Sequence, residues 1–262
     1  MRKLLITTLV TLFLASAVSA AELTETIDKT FDVKPGASVS LDNVNGGVTI
    51  GSWDQPRVRI VAQKKVKASK GEVQEAMRAL KVEMAQSNGG LTVNTRYPRE
   101  GDGIGSLFDW LTGDHVQASV RYEVTVPRSM NLDISTVNGS INLTQVNGKH
   151  ELETTNGKID VSRCSGSLEA STTNGGIDAE LVQVTKGQPM RLSTTNGRIE
   201  VAVPAGLAVD VDASTTNGSI QSDLPVSTTK ISRNSLRGSI NGGGTPLKLR
   251  TTNGGIEIKT VR

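Results

Sequence analysis

Thr154-Thr155-Asn156-Gly157-Lys158-Ile159 is one of six copies of a short motif that runs through the C-terminal half of the chain. Five copies read Thr-Thr-Asn-Gly-x-Ile, and the copy that opens the series has Val in place of the second Thr. The first five asparagines are spaced by 18, 18, 22 and 21 residues. Repetition at this period predicts stacked units, each of which buries its apolar face only against its neighbours. The repeated asparagines are Asn138, Asn156, Asn174, Asn196, Asn217 and Asn253.

Each copy alternates in polarity on both sides of its asparagine. Around Asn174, Ala170 and Thr172 precede the corner and Ile177 and Ala179 follow it, with mostly polar residues between them. This pattern predicts two short strands, each apolar on one face. The Asn-Gly pair between them tolerates the positive φ angles of a tight corner.

Two architectures fit such units. In a parallel β-solenoid, equivalent residues of successive coils stack about 4.8 Å apart, whereas in an antiparallel sandwich each Asn-Gly corner is a hairpin turn. The matched columns favour the solenoid, because stacking places every Asn over the next in an amide ladder and gives one buried Ile per coil. We therefore predict an all-β, β-helix-like protein with coils of about 18–22 residues. A degraded seventh coil, without its asparagine, is expected at Leu236-Arg237-Gly238-Ser239-Ile240.

The chain divides into three segments on these patterns. Residues 1–20 are expected to be a signal peptide, residues 21–129 a β-rich segment, and residues 130–262 the repeat solenoid. The middle segment contains one coil-like unit at Asn45, whose surroundings repeat the motif 93 residues before Asn138. Its sequence pattern also predicts a short amphipathic helix near residues 69–79, followed by a hairpin.

A loop of residues 99–114 follows the hairpin and is rich in Gly and Asp. It carries Phe108 and Trp110, and two functions are open for it. The aromatic side chains could contact a ligand or a partner, or the loop could cover one end of the core, as the end of a solenoid requires.

A basic run, Lys64, Lys65, Lys67 and Lys70, follows a predicted strand. It either contacts an anionic polymer or lipid head groups, or it forms a solvated strand edge that charge protects from pairing. Acidic residues follow within a few positions, which favours the solvated edge.

The first residues have the pattern of a secretory signal peptide. Arg2 and Lys3 precede an apolar run from Leu4, and small residues before Ala20 and Ala21 predict cleavage between those two. No later stretch reaches eighteen uninterrupted apolar residues, so we expect no transmembrane segment in the mature chain. The protein is expected to be exported, to the periplasm or to the cell surface.

Charge, cysteine and histidine content argue against nucleic-acid binding, an intramolecular disulfide and a metal site. Without Arg2 and Lys3 the chain has 27 basic and 26 acidic residues (29 − 2 against 26), which gives no support for binding to nucleic acid. The only cysteine, Cys164, cannot form an intramolecular disulfide and is expected in the core. His115 and His150 have no partners at metal-ligand spacing, so neither a metal nor another cofactor is predicted.

The residues four after each asparagine form an outward, mostly acidic column. Because some β-helices are polysaccharide lyases or hydrolases that use paired carboxylates, an enzyme is one hypothesis. Against it, Lys158 and Arg198 stand two residues before a carboxylate and are expected to neutralise the column. The column is Asn142, Asp160, Asp178, Glu200, Gln221 and Glu257.

A second outward face consists of hydroxyl side chains, such as Ser171 with Thr173 and Ser193 with Thr195. It could contact a carbohydrate, a crystal lattice or another chain. It could also be ordinary exposed strand, in which Thr is common.

Three features together resemble a bacterial family of putative adhesins of unknown function, of the DUF4097 type. They are the Thr-Thr-Asn-Gly-x-Ile repeats, the entry strand Tyr122-Glu123-Val124-Thr125-Val126-Pro127, and Gly51-Ser52-Trp53-Asp54. The resemblance covers essentially the mature chain. It implies a β-solenoid at or outside the cell envelope, and it implies no catalytic residues.

The sequence therefore predicts an exported, non-enzymatic β-solenoid that acts as an adhesin-like interaction or scaffold module. Its partner would be an envelope polysaccharide or another envelope protein. The alternative is a polysaccharide-acting enzyme, or a lectin, on the same fold.

Overall fold

A computed structural model describes residues 9–13, 21–68, 72–87, 90–97 and 116–261, with the backbone alone for 9–13 and 228–230. The described chain is all-β with one helix, as predicted. Its elements are β1 Leu9–Phe13, β2 Ala21–Asp32, β3 Ser38–Asp42, β4 Val48–Trp53, β5 Arg57–Ala68, α1 Val73–Ala79, β6 Lys81–Ser87, β7 Gly90–Arg96, β8 Gln117–Pro127, β9 Asn131–Asn138, β10 Ile141–Thr144, β11 Asn147–Asn156, β12 Ile159–Asn174, β13 Ile177–Val184, β14 Met190–Asn196, β15 Ile199–Val203, β16 Val209–Asn217, β17 Ile220–Ser222, β18 Ser227–Ser232, β19 Ser235–Ile240, β20 Thr245–Asn253 and β21 Ile256–Thr260.

Every repeated corner stacks on another in register. We call each Asn-Gly corner with its two flanking strands a rung and number it by its asparagine. Asn156 lies opposite Asn138 and Asn174, and Ile159 lies opposite Ile141 and Ile177, with all these strands parallel. The predicted columns of equivalent residues are confirmed for the repeats.

The early coil-like unit is confirmed as well. Asn45 is bridged to Asn138 in parallel, and β3 and β4 pair in parallel with β9 and β10. Rung 45 therefore stacks directly on rung 138, although 93 residues separate them in the chain.

The stacking order departs from the order of the chain at the C-terminal end. β20 lies between β14 and β16, and β21 lies between β15 and β17. The last rung of the chain, rung 253, is therefore inserted between rungs 196 and 217. The order along the stack is 45, 138, 156, 174, 196, 253, 217.

The predicted seventh coil is wrong. The stretch from Leu236 to Ile240 lies in β19, which runs antiparallel to β16 on one side and to β18 on the other. Without the Asn-Gly corner this segment turns back as a hairpin with β18 and covers the outer edge of β16.

The other end of the stack is also closed by antiparallel strands. β7 and β8 extend the stack in parallel beyond rung 45, β6 is antiparallel to β7, and β5, β2 and β1 follow β8 as antiparallel strands. The sheet is thus mixed, so the prediction of a parallel solenoid is confirmed only in part. Lys64, Lys65 and Lys67 of the basic run do not lie on a strand edge as expected, because β5 pairs with both β2 and β8. Lys70 lies outside the described residues.

Most rungs contribute buried apolar residues on both sides of the corner, and each repeat adds a buried threonine two residues before its asparagine. Ile141, Ile159, Ile177, Ile199 and Ile256 are buried, and each buried Ile contributes about 1.5–3 kcal/mol. The buried threonines point their hydroxyl groups at the corner of the adjacent rung, where a backbone carbonyl accepts the hydrogen bond. The bonds are Thr154 to Gly139, Thr172 to Gly157, Thr194 to Gly175, Thr251 to Gly197 and Thr215 to Gly254, at 2.8–3.0 Å.

Helix α1 begins at Val73, with Glu72 as its N-cap residue, so it is shorter than the predicted segment of residues 69–79. It packs against β2 and β5 and buries Val73, Ala76 and Met77. The predicted hairpin is confirmed as β6 and β7. The loop of residues 99–114 lies outside the described residues, so its expected covering role stays a prediction.

Candidate functional site

The outward acidic column is continuous along the stack. Asp160 lies opposite Asp178, Asp178 opposite Glu200, and Glu200 opposite Glu257. Like charges directly opposite each other on adjacent strands destabilise a sheet. The column therefore needs cations beside it.

Three cations supply this compensation. Lys158 Nζ lies 2.9 Å from Asp160 and 2.7 Å from Asp178, and both carboxylates raise the pKa of Lys158 through hydrogen bonds. The expected neutralisation by Lys158 and Arg198 is observed. The remaining contacts are Arg198 to Glu200 at 3.1 Å, to Glu257 at 3.8 Å and to Asp178 at 4.0 Å, and Lys259 to Glu200 at 2.8 Å and to Glu257 at 3.0 Å.

A groove of about 560 Å³ runs beside this column. Glu180 and Asp223 add two further carboxylates to its lining. Each of the four acidic side chains of the column already has a lysine or arginine partner within 4.0 Å.

The asparagines form a hydrogen-bonded ladder on the outer surface of the corners. Asn156 donates through Nδ2 to Oδ1 of Asn138, and Asn174 donates to Asn156, each at 2.8 Å. The ladder includes Asn45 at one end and Asn217 at the other. Each bond uses one of the two N–H donors of an amide.

An exposed threonine lies next to the asparagine in five rungs. These side chains face away from the core, while the preceding threonine faces inward. We call the ladder asparagines and these threonines the corner array. Its threonines are Thr155, Thr173, Thr195, Thr216 and Thr252.

The structure describes only some of the other candidate residues. Phe108, Trp110, His115 and Ala20 lie outside the described residues, and Ala21 is the first residue of β2. Cys164 is buried, as expected, and burial raises the pKa of its thiol. Within the described ranges, His, Cys, Asp and Glu side chains form no group of three that could hold a metal ion.

His150 is a core residue rather than a ligand. It lies opposite Leu132 and Leu168 in the interior. Its Nε2 is 3.2 Å from the carbonyl oxygen of Val146, and its Nδ1 is buried without a hydrogen-bond partner. Burial lowers the pKa of His150 from 6.5 to about 4, so the ring is neutral at pH 7.

We predict that His150→Leu raises the free energy of unfolding at pH 7.5 by about 1 kcal/mol, because it removes an unpaired buried nitrogen. The carbonyl of Val146 keeps a hydrogen bond from the backbone N–H of Ser165. Between pH 6.5 and pH 4 the unfolded His150 binds a proton that the folded one does not. Its contribution to stability therefore falls by about 3 kcal/mol as the pH drops through that window. Urea unfolding at pH 4, 5 and 7.5 checks both effects.

The variant should lose that part of the pH dependence, because leucine does not titrate. Carboxyl groups titrate equally in both proteins, so the difference between the two curves isolates His150. Equal slopes in the wild type and the variant would contradict a buried, neutral His150.

Stacked in-register rungs with a repeated polar corner define a class of β-strand repeat proteins. Within that class, the profile of the Toastrack DUF4097 family matches residues 56–259. The chain belongs to this family, as the resemblance implied. No curated protein matches the chain.

The chain also matches solved structures that are distant from it in sequence. A putative cell adhesion protein from Clostridium sporogenes ATCC 15579 is 13% identical, with 89% of this chain and 99% of that chain covered and a TM-score of 0.46. A putative adhesin from Bacteroides fragilis NCTC 9343 is 10% identical, with 90% and 97% covered and a TM-score of 0.25. In the part of the chain that is described, no helix is long and apolar enough to span a membrane.

Proposed function

We propose that the protein is exported and acts at the bacterial cell envelope as a non-enzymatic, adhesin-like interaction or scaffold module. The observation that carries this proposal is the corner array. It is an exposed, regular row of amide and hydroxyl groups held by a rigid stack. Adjacent rungs repeat every 4.7–4.9 Å, the usual spacing of paired strands, which suits a partner with repeating hydroxyl or amide groups.

An envelope polysaccharide is the partner that this chemistry favours. Polar groups fixed in place lose little conformational entropy on binding, so preorganisation lowers the cost of association. Binding would be spread over several rungs, and each rung would contribute a small share.

A triple variant of adjacent rungs tests this proposal. Thr173→Ala, Thr195→Ala and Thr252→Ala together should lower binding to purified peptidoglycan sacculi and acidic glycans at least tenfold, because three neighbouring hydroxyl groups are lost. A matched control replaces three exposed threonines away from the corners, Thr49, Thr92 and Thr185. Sedimentation with sacculi and a glycan array measure both. Equal binding of the two triple variants would contradict the corner array as the contact surface.

Export is tested at the predicted cleavage site. N-terminal sequencing of protein from the periplasm or the culture medium should give Ala21 as the first residue. A chain that stays in the cytoplasm and keeps Met1 would contradict the export proposal.

The alternative function is a polysaccharide-acting enzyme or a lectin. The groove beside the acidic column is the observation that favours an enzyme. Turnover is measured as reducing or unsaturated ends released from peptidoglycan and acidic glycans. Turnover that Asp178→Asn or Glu200→Gln abolishes would establish the enzyme and overturn the non-enzymatic proposal. A glycan signal lost in Trp110→Ala would instead favour a lectin that uses the loop.

A further inference from the structure

A pocket of about 370 Å³ lies between helix α1 and the inner face of β2 and β5. Leu23 and Met77 form apolar walls, and Lys64 and Glu25 lie among the polar lining, with Arg78. Its volume is within the range of small-ligand sites, which combine apolar walls with a few convergent polar groups.

Lys64 is anomalous at its position. It lies on the inward face of β5, between Ala62 and Val66, which are both fully buried. Its side chain is only 7% exposed, and among the described residues no other lysine, arginine or carboxylate is buried. Desolvating an ammonium group costs several kcal/mol, so the burial of Lys64 in an apolar column needs a compensating interaction.

The partner of Lys64 is more exposed than Lys64 itself. Glu25 Oε2 lies 2.8 Å from Lys64 Nζ, and the Glu25 side chain is 29% exposed. Glu25 can therefore rotate toward water while Lys64 stays in place. A ligand that carries its own carboxylate could then take the position of Glu25.

The charges around the pocket favour an anion. Lys64 and Arg78 provide two positive charges, against one negative charge from Glu25. An aliphatic tail can pack against Leu23 and Met77, and a carboxylate can pair with Lys64. Such a buried pair is strong only when the geometry is good and apolar contacts exclude water.

We propose that this pocket binds a small aliphatic carboxylate, with its head group on Lys64 and its chain against Leu23 and Met77. The site is separate from the corner array and from the acidic column. It stands whether or not the protein binds an envelope polysaccharide.

Titration calorimetry with octanoate tests the proposal on the purified protein. Octanoate should bind saturably, and octylammonium, which has the same chain with the opposite charge, should bind at least tenfold more weakly. Absence of saturable octanoate binding at millimolar concentration would overturn the proposal. Equal binding of the two amphiphiles would also overturn it, because the pocket would then recognise only the chain.

Two substitutions at the ion pair should act in opposite directions. Lys64→Met removes the cation and should weaken octanoate binding at least tenfold. Glu25→Gln removes the competing carboxylate and should tighten it several-fold. The matched controls are Lys65→Met and Glu22→Gln, which affect an exposed ion pair of the same two strands and should leave the affinity unchanged.

Arg78 is exposed on α1, so its replacement does not disturb the core. Arg78→Gln should weaken octanoate binding about threefold and leave the melting temperature unchanged. If Lys64→Met fails to fold, Glu25→Gln and Arg78→Gln decide the question. Unchanged affinity in both would overturn the assignment of the head group to this end of the pocket.

Discussion

Gly175→Ala is expected to destabilise the protein by at least ~3 kcal/mol, a loss of roughly 6–12 °C in Tm for a chain of this size. A Cβ at this corner would lie 2.6 Å from the carbonyl carbon of Gly157 in the adjacent rung, and closer still to its oxygen. The obstacle is backbone, which cannot move aside as the end of a side chain can. Relief would require the two rungs to separate, with loss of the hydrogen bond from Gly157 N–H to Asn174. Thermal unfolding followed by circular dichroism measures the effect.

Gly51→Ala is the matched control. Gly51 lies in β4, and a Cβ there would meet nothing within 4 Å. Its melting temperature should stay within a few degrees of the wild type. A mild effect at Gly175, comparable with that at Gly51, would mean that the rungs are not stacked as closely as the structure has them.

The close approach of adjacent backbones at the corners also explains why the repeat can be predicted from the sequence. At each corner, only glycine lets the next backbone come near, and only a short polar side chain such as Asn can form the ladder. These requirements recur at Asn138, Asn156 and every later rung, so they leave a periodic signal. The in-register columns and the inward isoleucines follow from that signal.

The order of the rungs cannot be predicted from the sequence, for a related reason. Each rung presents the same Thr-Thr-Asn-Gly edge to both neighbours, so rung 196 can pair equally well with rung 217 or rung 253. Local sequence does not distinguish the two. The choice depends on the hairpin of β18 and β19, which covers β16 and closes that side of the stack. The missing asparagine near Arg237 is the one local signal of this arrangement. It indicates a reversal of the chain rather than a degraded coil.

The candidate sites were predictable to different degrees. The acidic column followed from strand alternation, and so did its compensation by Lys158 and Arg198. The pocket at Lys64 does not follow from the basic run when the run is treated as one solvated group. Alternation with Val58, Ile60 and Ala62 places Lys64 inward and Lys65 outward. From this alternation the buried position of Lys64 can be predicted.

The corner array and the acidic column differ in how freely they can meet a partner. Carboxylates of the column already have cationic partners, so a new ligand must displace Lys158, Arg198 or Lys259. Every amide of the array except that of Asn45 uses one of its two N–H donors within the ladder. An incoming polar polymer would therefore meet less competition at the array than at the column, which supports our proposal that the array is the contact surface.

Ile177→Asp is expected to be the most damaging single substitution in the repeats, with a loss of at least ~4 kcal/mol or complete failure to fold. Ile177 is fully buried and lies between Ile159 and Ile199 in the interior column. A carboxylate there would have isoleucine on both sides and no cation. The protein would have to bury an unpaired charge or open the rung to water. Urea unfolding at pH 7.5 measures the loss.

The neighbouring position provides the strictest comparison. Asp178 points outward, and Asp178→Ser removes only exposed ion pairs with Lys158 and Arg198, each of which contributes up to about 1 kcal/mol. Ile177→Val keeps the core apolar and should cost about 0.5–1.5 kcal/mol. Ile177→Asp should therefore be far more damaging than either Asp178→Ser or Ile177→Val. Comparable stability of Ile177→Asp and Asp178→Ser would contradict the assignment of inward and outward faces on which the stack depends.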